Sequence, residues 1–245
     1  MAEKLKVEDV LKRHDMALRK KDDFRDLYED AYEFALPQRN LYDGYWEGKV
    51  GGAKKMNRVF DSTAIGSVQR FANRLQSGIF PPQRKWCRLE PGPDIPEDRR
   101  AEAQAALDVY TEKLFATIKQ SNFDIAMGEF LLDLSVGTAV MMVQPGDDVN
   151  PINFIPVPQY LVAFEEGANG QVDNVYRRMR IKGEAIAQQW KDAVIDGQLE
   201  RKIKDKPTED IELIEATILD AKRGDYAYYV IHKETKSMVV YRKMK

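Results

Sequence analysis

Cysteine and histidine are scarce in this chain of 245 residues, which holds one cysteine, Cys87, and two histidines, His14 and His232. A single cysteine cannot form an internal disulfide, and it cannot supply the thiolate pair of a zinc site. The histidines lie near opposite ends of the chain, so they do not form the helical pair that binds metals. We therefore expect no metal site. We interpret His14 as part of a helix's apolar face and His232 as exposed on an edge strand.

An excess of charge of one sign is also lacking, because 38 Lys and Arg residues are balanced by 40 Asp and Glu residues. Proteins that bind DNA tightly usually carry a basic excess, since their affinity derives largely from the neutralisation of phosphates. The balance therefore disfavours long-lived DNA binding. It does not disfavour the loose passage of DNA along the protein.

Long apolar runs are missing too. The longest mostly apolar run, residues 126–143, is interrupted by Glu129 and Asp133. A helix needs about 20 consecutive apolar residues to span a bilayer. The N-terminal residues also lack the apolar stretch and small residues of a signal peptide. We expect no membrane partner, and we expect synthesis in a reducing, intracellular compartment.

Motifs of the common catalytic sites do not occur. The segment GYWEGKVGGAKK resembles a phosphate-binding loop, but Gly44 precedes Gly48 by four positions rather than five, and Val50 stands where the motif needs Ser or Thr. We interpret this segment as a surface loop. Asp147 and Asp148 follow a glycine in a predicted turn and have no partners for a metal-dependent nuclease. The sequence predicts no catalytic, cofactor-binding or metal-binding residue, no cofactor and no enzyme, and it nominates no DNA-contacting residue.

The periodicity of apolar residues changes from helical to strand-like along the chain. The predicted helices span 7–36, 61–80, 97–119, 122–136 and 183–196. The predicted strands span 86–89, 138–144, 152–157, 160–164, 172–181, 211–219, 226–232 and 237–242. The class is α+β, with long N-terminal helices followed by a mixed, mainly antiparallel β region. We expect a mainly helical domain over 1–137 and a β-rich domain over 138–245.

Five apolar residues are predicted to lie in the core, because they fall on the inward stripes of the helices or beside a strand. They are Ile65, Leu75, Trp86, Phe123 and Phe130. Trp86 follows Arg84 and Lys85, so a basic and aromatic patch for nucleic acid is the alternative interpretation. A core tryptophan flanked by surface charges is the interpretation that we favour.

Three blocks resemble the head-to-tail connecting, or portal, proteins of short-tailed, T7-like bacteriophages. The first is DSTAIGSVQRFANRLQSGIFPPQRKWCRLEPG at 61–92, and the second is KQSNFDIAMGEFLLDLSVGTAVMMVQPGDD at 119–148. The third is INFIPVPQYLVAFEEGANGQVDNVYRRMRIKGEAIAQQW at 152–190. Each motif alone is moderately specific, but their order and spacing agree with the family.

The resemblance implies a structural subunit of a ring, typically a dodecamer, at one vertex of the capsid. Double-stranded DNA would pass through this ring, without sequence specificity, during packaging and ejection. The implied partners are other copies of the chain, the major capsid or scaffolding protein, the terminase and a tail adaptor protein. The implied location is the virion, after assembly in the host cytoplasm. The chain would form the wing region of such a subunit.

Family members are about twice as long, so the resemblance also suggests that this chain stops before the stem, clip and crown. Two other functions remain open at this point. One is a scaffold or adaptor protein of the virion that does not form a ring and binds its partners through the first helix. The other is a DNA-processing enzyme of the packaging apparatus, which the missing phosphate loop and carboxylate cluster disfavour.

Overall fold

The computed structural model describes residues 4–41, 58–82, 84–220 and 224–244 and confirms the α+β class. The α-helices are α1 (Val7–Asp22), α2 (Arg25–Ala35), α3 (Thr63–Ile79), α4 (Glu97–Gln120), α5 (Phe123–Val136), α6 (Ile186–Gln189) and α7 (Gly197–Asp205). The strands are β1 (Val140–Pro145), β2 (Ile152–Val157), β3 (Val162–Glu166), β4 (Val172–Lys182), β5 (Asp210–Asp220), β6 (Asp225–His232) and β7 (Ser237–Met244). Short 3₁₀ turns occur at Pro37–Arg39, Gln159–Leu161 and Gly183–Ala185.

The chain divides into two compact units. The sheet unit consists of Met1–Asp26 and Tyr160–Lys245, and the helical unit consists of Leu27–Gln159. The first helix therefore belongs to the same unit as the C-terminal sheet. The division into domains at 1–137 and 138–245 stays a prediction, and these compact units follow other boundaries.

The sheet unit contains five antiparallel strands in the order β3-β4-β5-β6-β7. Consecutive side chains are buried along β5 and at the end of β6, and because they point alternately to the two faces, both faces of the sheet are covered. One face packs against α1 through a cluster that includes Val10, Ala17, Tyr176 and Ile231. The other face packs against α6, α7 and Trp190. All strand connections in this sheet are between neighbours in sequence, which is the simplest antiparallel arrangement.

The helical unit is built around α5, which packs against α3 and against the two-stranded hairpin β1-β2. Its core is aromatic. Trp86 stacks on Phe123 with ring centroids 5.7 Å apart, and Phe80, Phe115 and Phe154 meet these two rings edge-on. Asn122 ties the hairpin to the start of α5, because its side chain exchanges two hydrogen bonds with the backbone of Phe154, at 2.7 and 2.9 Å.

Two of the predicted elements are wrong in their extent. The helix expected over 7–36 is broken at Asp23 and Phe24, because the run from Lys20 to Asp23 offers no apolar side chain to bury. The helix expected over 183–196 ends at Gln189. The chain turns back there, and the Val194 N–H donates to the Val239 carbonyl at 2.8 Å, which ties this segment to β7.

Two further elements differ from the prediction. Residues 86–89 were predicted as a strand and do not form one. The Leu89 backbone bonds to side chains of α4 instead, because its N–H donates to the Thr111 hydroxyl at 3.2 Å and its carbonyl accepts from the Gln104 amide at 3.1 Å. Helix α7 was not predicted. It begins at the cap residue Asp196, whose carboxylate accepts from the Leu199 N–H at 2.7 Å.

Of the five predicted core residues, Phe123 is buried, whereas Ile65, Leu75, Trp86 and Phe130 are half-buried. The apolar spacing thus identifies residues that face the interior of the helical unit, but the neighbouring elements cover four of these five side chains only in part.

Candidate functional site

The two histidines occupy structural positions in the sheet unit. His14 is buried as predicted, and its Nδ1 lies 2.9 Å from a carboxylate oxygen of Asp15. His232 was expected on an exposed edge, and this is wrong, because β6 is an inner strand and buries the ring. Its Nδ1 lies 2.7 Å from the Thr235 hydroxyl. Burial lowers the pKa of both imidazoles, so they are held neutral.

Metal ligands do not converge anywhere in the part of the chain that the structure describes. Asp147 stabilises a turn, as predicted for this position. Its carboxylate accepts hydrogen bonds from the N–H groups of Val149 and Asn150 at 2.9 and 2.6 Å. The segment GYWEGKVGGAKK, interpreted above as a surface loop, lies outside the described residues. The absence of a metal, a cofactor and an activity therefore stays a prediction.

The helical unit contains a buried ion-pair network on α5. Arg39 forms a two-pronged contact with Asp133, at 2.9 and 2.6 Å, and donates a third hydrogen bond to Glu129 at 2.8 Å. The Tyr32 hydroxyl donates to Asp133 at 3.3 Å. Asp133 is almost completely buried, so its charge depends on these partners. The network fixes the turn after α2 against α5.

The sheet unit contains two comparable networks around glutamates. Glu165 accepts hydrogen bonds from Arg13, Asn174 and Tyr176 at 3.0, 3.0 and 2.7 Å. Burial raises the pKa of Glu165, but the bonds from Tyr176 and Arg13 outweigh it and leave the pKa below its usual value. These contacts attach α1 to β3 and β4, and they explain a carboxylate inside the fold without a catalytic role.

The second network joins the sheet to the segment after α6. Glu215 accepts from Tyr228 at 2.6 Å and from Arg177 at 3.1 Å, and the Trp190 indole donates to the Tyr228 hydroxyl at 3.2 Å. Burial and the neighbouring carboxylate raise the pKa of Tyr228. These bonds connect β4, β5 and β6 with the segment after α6.

Lys21, near the C-terminal end of α1, binds backbone carbonyl groups beside the edge strand β3. Its ammonium nitrogen lies 2.5 Å from the Tyr160 carbonyl and 3.1 Å from the Val162 carbonyl. Burial lowers the pKa of Lys21 to about 7, and the nearby Arg178 acts in the same direction. The lysine covers backbone groups at the edge strand β3, which is one way in which proteins block unwanted strand pairing.

Exposed apolar side chains are concentrated in the helical unit. Its large apolar residues with substantial exposure are Leu27, Phe34, Phe60, Phe71, Ile79, Leu89, Ile95, Val109, Tyr110, Ile125, Leu134, Val143 and Val149. Tyr110 of α4 is exposed, whereas Thr111 and Phe115 are the buried residues of this helix. Where such residues adjoin in a contiguous patch, they mark interaction sites in proteins. No helix in the described ranges is both long and apolar enough to cross a membrane.

The family described as bacteriophage head to tail connecting protein matches residues 7–243. The chain belongs to this family of structural phage proteins, whose place is at the capsid and which contact capsid and tail components. No curated protein matches the chain.

Proposed function

We propose that the protein is a portal subunit of a short-tailed, T7-like phage, and that identical subunits form a closed ring, a dodecamer, at one capsid vertex. Double-stranded DNA passes through the ring during packaging and ejection. The ring assembles in the host cytoplasm and contacts the capsid or scaffolding protein, the terminase and a tail adaptor. The observation that carries this proposal is the family match over residues 7–243.

Two properties of the chain support the proposal. The exposed apolar residues of the helical unit provide surface for permanent contacts between subunits. The near balance of 38 basic and 40 acidic residues suits a channel that must let DNA slide, because strong neutralisation of phosphates would hold the DNA in place. The protein itself performs no chemical step in this proposal, and the energy for packaging comes from the terminase.

The proposal is tested by negative-stain microscopy of the purified full chain, together with its mass in solution by light scattering. Rings with a central hole and a single discrete mass are the expected result. A small oligomer without a hole would support the scaffold or adaptor function instead. A monomer at all concentrations up to those used for microscopy would contradict the ring.

A further inference from the structure

Strand β1 of the helical unit has a free edge. It pairs with β2 on one side, where Val143 lies opposite Phe154. The N–H and C=O of Phe154 both bond to the Asn122 side chain, so they point away from β1. Opposite residues of an antiparallel pair then both point outward, so the N–H and C=O of Val143, and of Met141 two residues earlier, point away from β2. No hydrogen bond to these four groups occurs among the described residues.

The other edge strands of the described residues are protected. The Asn122 side chain covers the outer edge of β2, Lys21 binds the first carbonyl of β3, and the Val194 N–H binds a carbonyl of β7. Proteins block edges in such ways because a free edge invites pairing with another chain. By contrast, residues 134–146 contain no charged side chain, and Val143 is 60% exposed. The free edge of β1 is therefore open to a strand.

A strand-forming segment of the same unit lacks a strand to pair with. Residues 86–89 are predicted as a strand, and the Leu89 backbone bonds to side chains of α4. Cys87 and Arg88 are exposed, and their backbone groups have no hydrogen-bond partner in the part of the chain that the structure describes. The Arg88 guanidinium is paired with Asp108, so its charge does not oppose a contact with an uncharged strand.

We infer that the free edge of β1 in one copy pairs with residues 86–89 of the next copy, so that the strand predicted there is completed in the assembly. This inference rests on the proposed ring, because a closed ring needs head-to-tail contacts in which two different surfaces of the same chain meet. In strand addition the main-chain hydrogen bonds supply the affinity. The contact satisfies unpaired backbone groups on both surfaces.

The free edge of β1 in a second copy is the alternative occupant. Two β1 strands would pair about a two-fold axis, and such a contact ends at a dimer and does not close a ring. It would also leave residues 86–89 without a strand partner. A contact between two different surfaces of the chain therefore fits the observations better.

The experiment is disulfide cross-linking in the full chain, which has Cys87 as its one natural cysteine. Met141→Cys and Val143→Cys are made separately, at the two outward-pointing positions of β1. Opposite residues on paired strands have Cα atoms about 4.5–5.5 Å apart, which is within the range of about 4.4–6.8 Å that a disulfide needs. With a mild oxidant, at least one variant is expected to give a ladder of linked dimers, trimers and longer products on a denaturing gel.

Two controls accompany the cross-linking. Val149→Cys places a cysteine in the turn after β1, where the side chain is 75% exposed, and it is expected to give no ladder. The double variant Cys87→Ser and Val143→Cys has no cysteine at 86–89 and is expected to give no linked product.

A second measurement tests the backbone bonds themselves. Val143→Pro removes an outward N–H, which edge strands tolerate because the bonds to the neighbouring strand are kept. Association is expected to weaken by roughly tenfold or more, because a buried acceptor then loses its donor at every junction. Val143→Thr keeps the N–H and the branched shape and is expected to assemble like the wild type. Circular dichroism verifies that both variants fold, and mass in solution measures assembly.

Three outcomes would overturn the inference while leaving the proposed ring intact. Both cysteine variants assemble and neither gives a ladder, or the cysteines join within one copy. Linked dimers from the variant without Cys87 would show that β1 pairs with β1. If the cysteine variants do not assemble, the proline variant decides, and its assembly like Val143→Thr would contradict the pairing. A wild type that does not assemble contradicts the ring itself.

Discussion

The two units of the molecule use their apolar residues in opposite ways. About two thirds of the buried apolar side chains in the described ranges belong to the sheet unit, whereas about two thirds of the large exposed ones belong to the helical unit. Helices cover both faces of the sheet, so its apolar side chains are buried on both sides. In the helical unit, α4 buries only Thr111 and Phe115 along its 24 residues.

This difference suggests that the two units have different roles, one in the stability of the fold and the other in contacts with other proteins. Burying an apolar side chain contributes about 1.5–3 kcal/mol, so most of the stabilisation by apolar burial comes from the sheet unit. The helical unit leaves similar side chains in water, where they contribute nothing until another surface covers them. We therefore expect the sheet unit to act as a scaffold and the helical unit to supply most of the contacts with other proteins.

The largest expected effect comes from removing a tryptophan from each unit. Trp190 is 3% exposed, and Trp190→Ala should destabilise the sheet unit by about 4 kcal/mol, through the cavity and the lost bond to Tyr228. Trp86 is half-buried, so Trp86→Ala should cost the helical unit about 2 kcal/mol. Hydrogen exchange followed by mass spectrometry measures each unit separately. Equal losses in the two units would remove the contrast between them.

The next effect tests the buried ion pair of the helical unit. Arg39→Met leaves the Asp133 carboxylate buried with the Tyr32 hydroxyl as its remaining described donor, and the free energy of unfolding should fall by about 3 kcal/mol. The matched control is Arg88→Met, which breaks the exposed pair with Asp108 and should lower the free energy of unfolding far less than Arg39→Met, because solvent screens exposed charges. Urea unfolding of both variants gives the comparison. A cost at Arg39 no larger than at Arg88 would mean that solvent reaches Asp133.

The smallest effect is a dependence on pH that is confined to the sheet unit, because both histidines lie in it. Their folded-state pKa values are lowered by burial, so below about pH 6.5 the unfolded chain binds protons that the folded chain does not. Stability is unaffected by these groups above pH 7 and falls as the pH drops below 6.5. We expect the free energy of unfolding of the sheet unit to be lower at pH 5.5 than at pH 7.5.

Hydrogen exchange at pH 7.5 and 5.5, corrected for the intrinsic exchange rate, measures this loss. His232→Gln should remove about half of it. An equal loss in the helical unit, which contains no histidine, would show that other groups are responsible.

Sequence reasoning predicted the strands better than the helix ends. The strand at 152–157 and the hairpin of β6 and β7 follow from short runs of branched and aromatic residues between turn residues, and these signals are local. The break at Asp23 and Phe24 was missed because the apolar spacing resumes after it. The exposure of His232 was wrong because the order of strands in a sheet is a long-range property that a single sequence does not contain.

The exposure of Phe24 was also beyond the sequence pattern. RKKDDFRD carries charges of both signs, and only the break between α1 and α2 places Phe24 in solvent. By contrast, the family resemblance was carried by three local motifs, and the match over residues 7–243 confirms it.

The most direct test is a reconstruction of the assembled full chain by electron cryomicroscopy. The account predicts a closed ring with a central channel, in which exposed apolar residues of the helical unit lie in the contacts between copies. A particle with two-fold contacts and no channel, or a chain that remains monomeric, would contradict it.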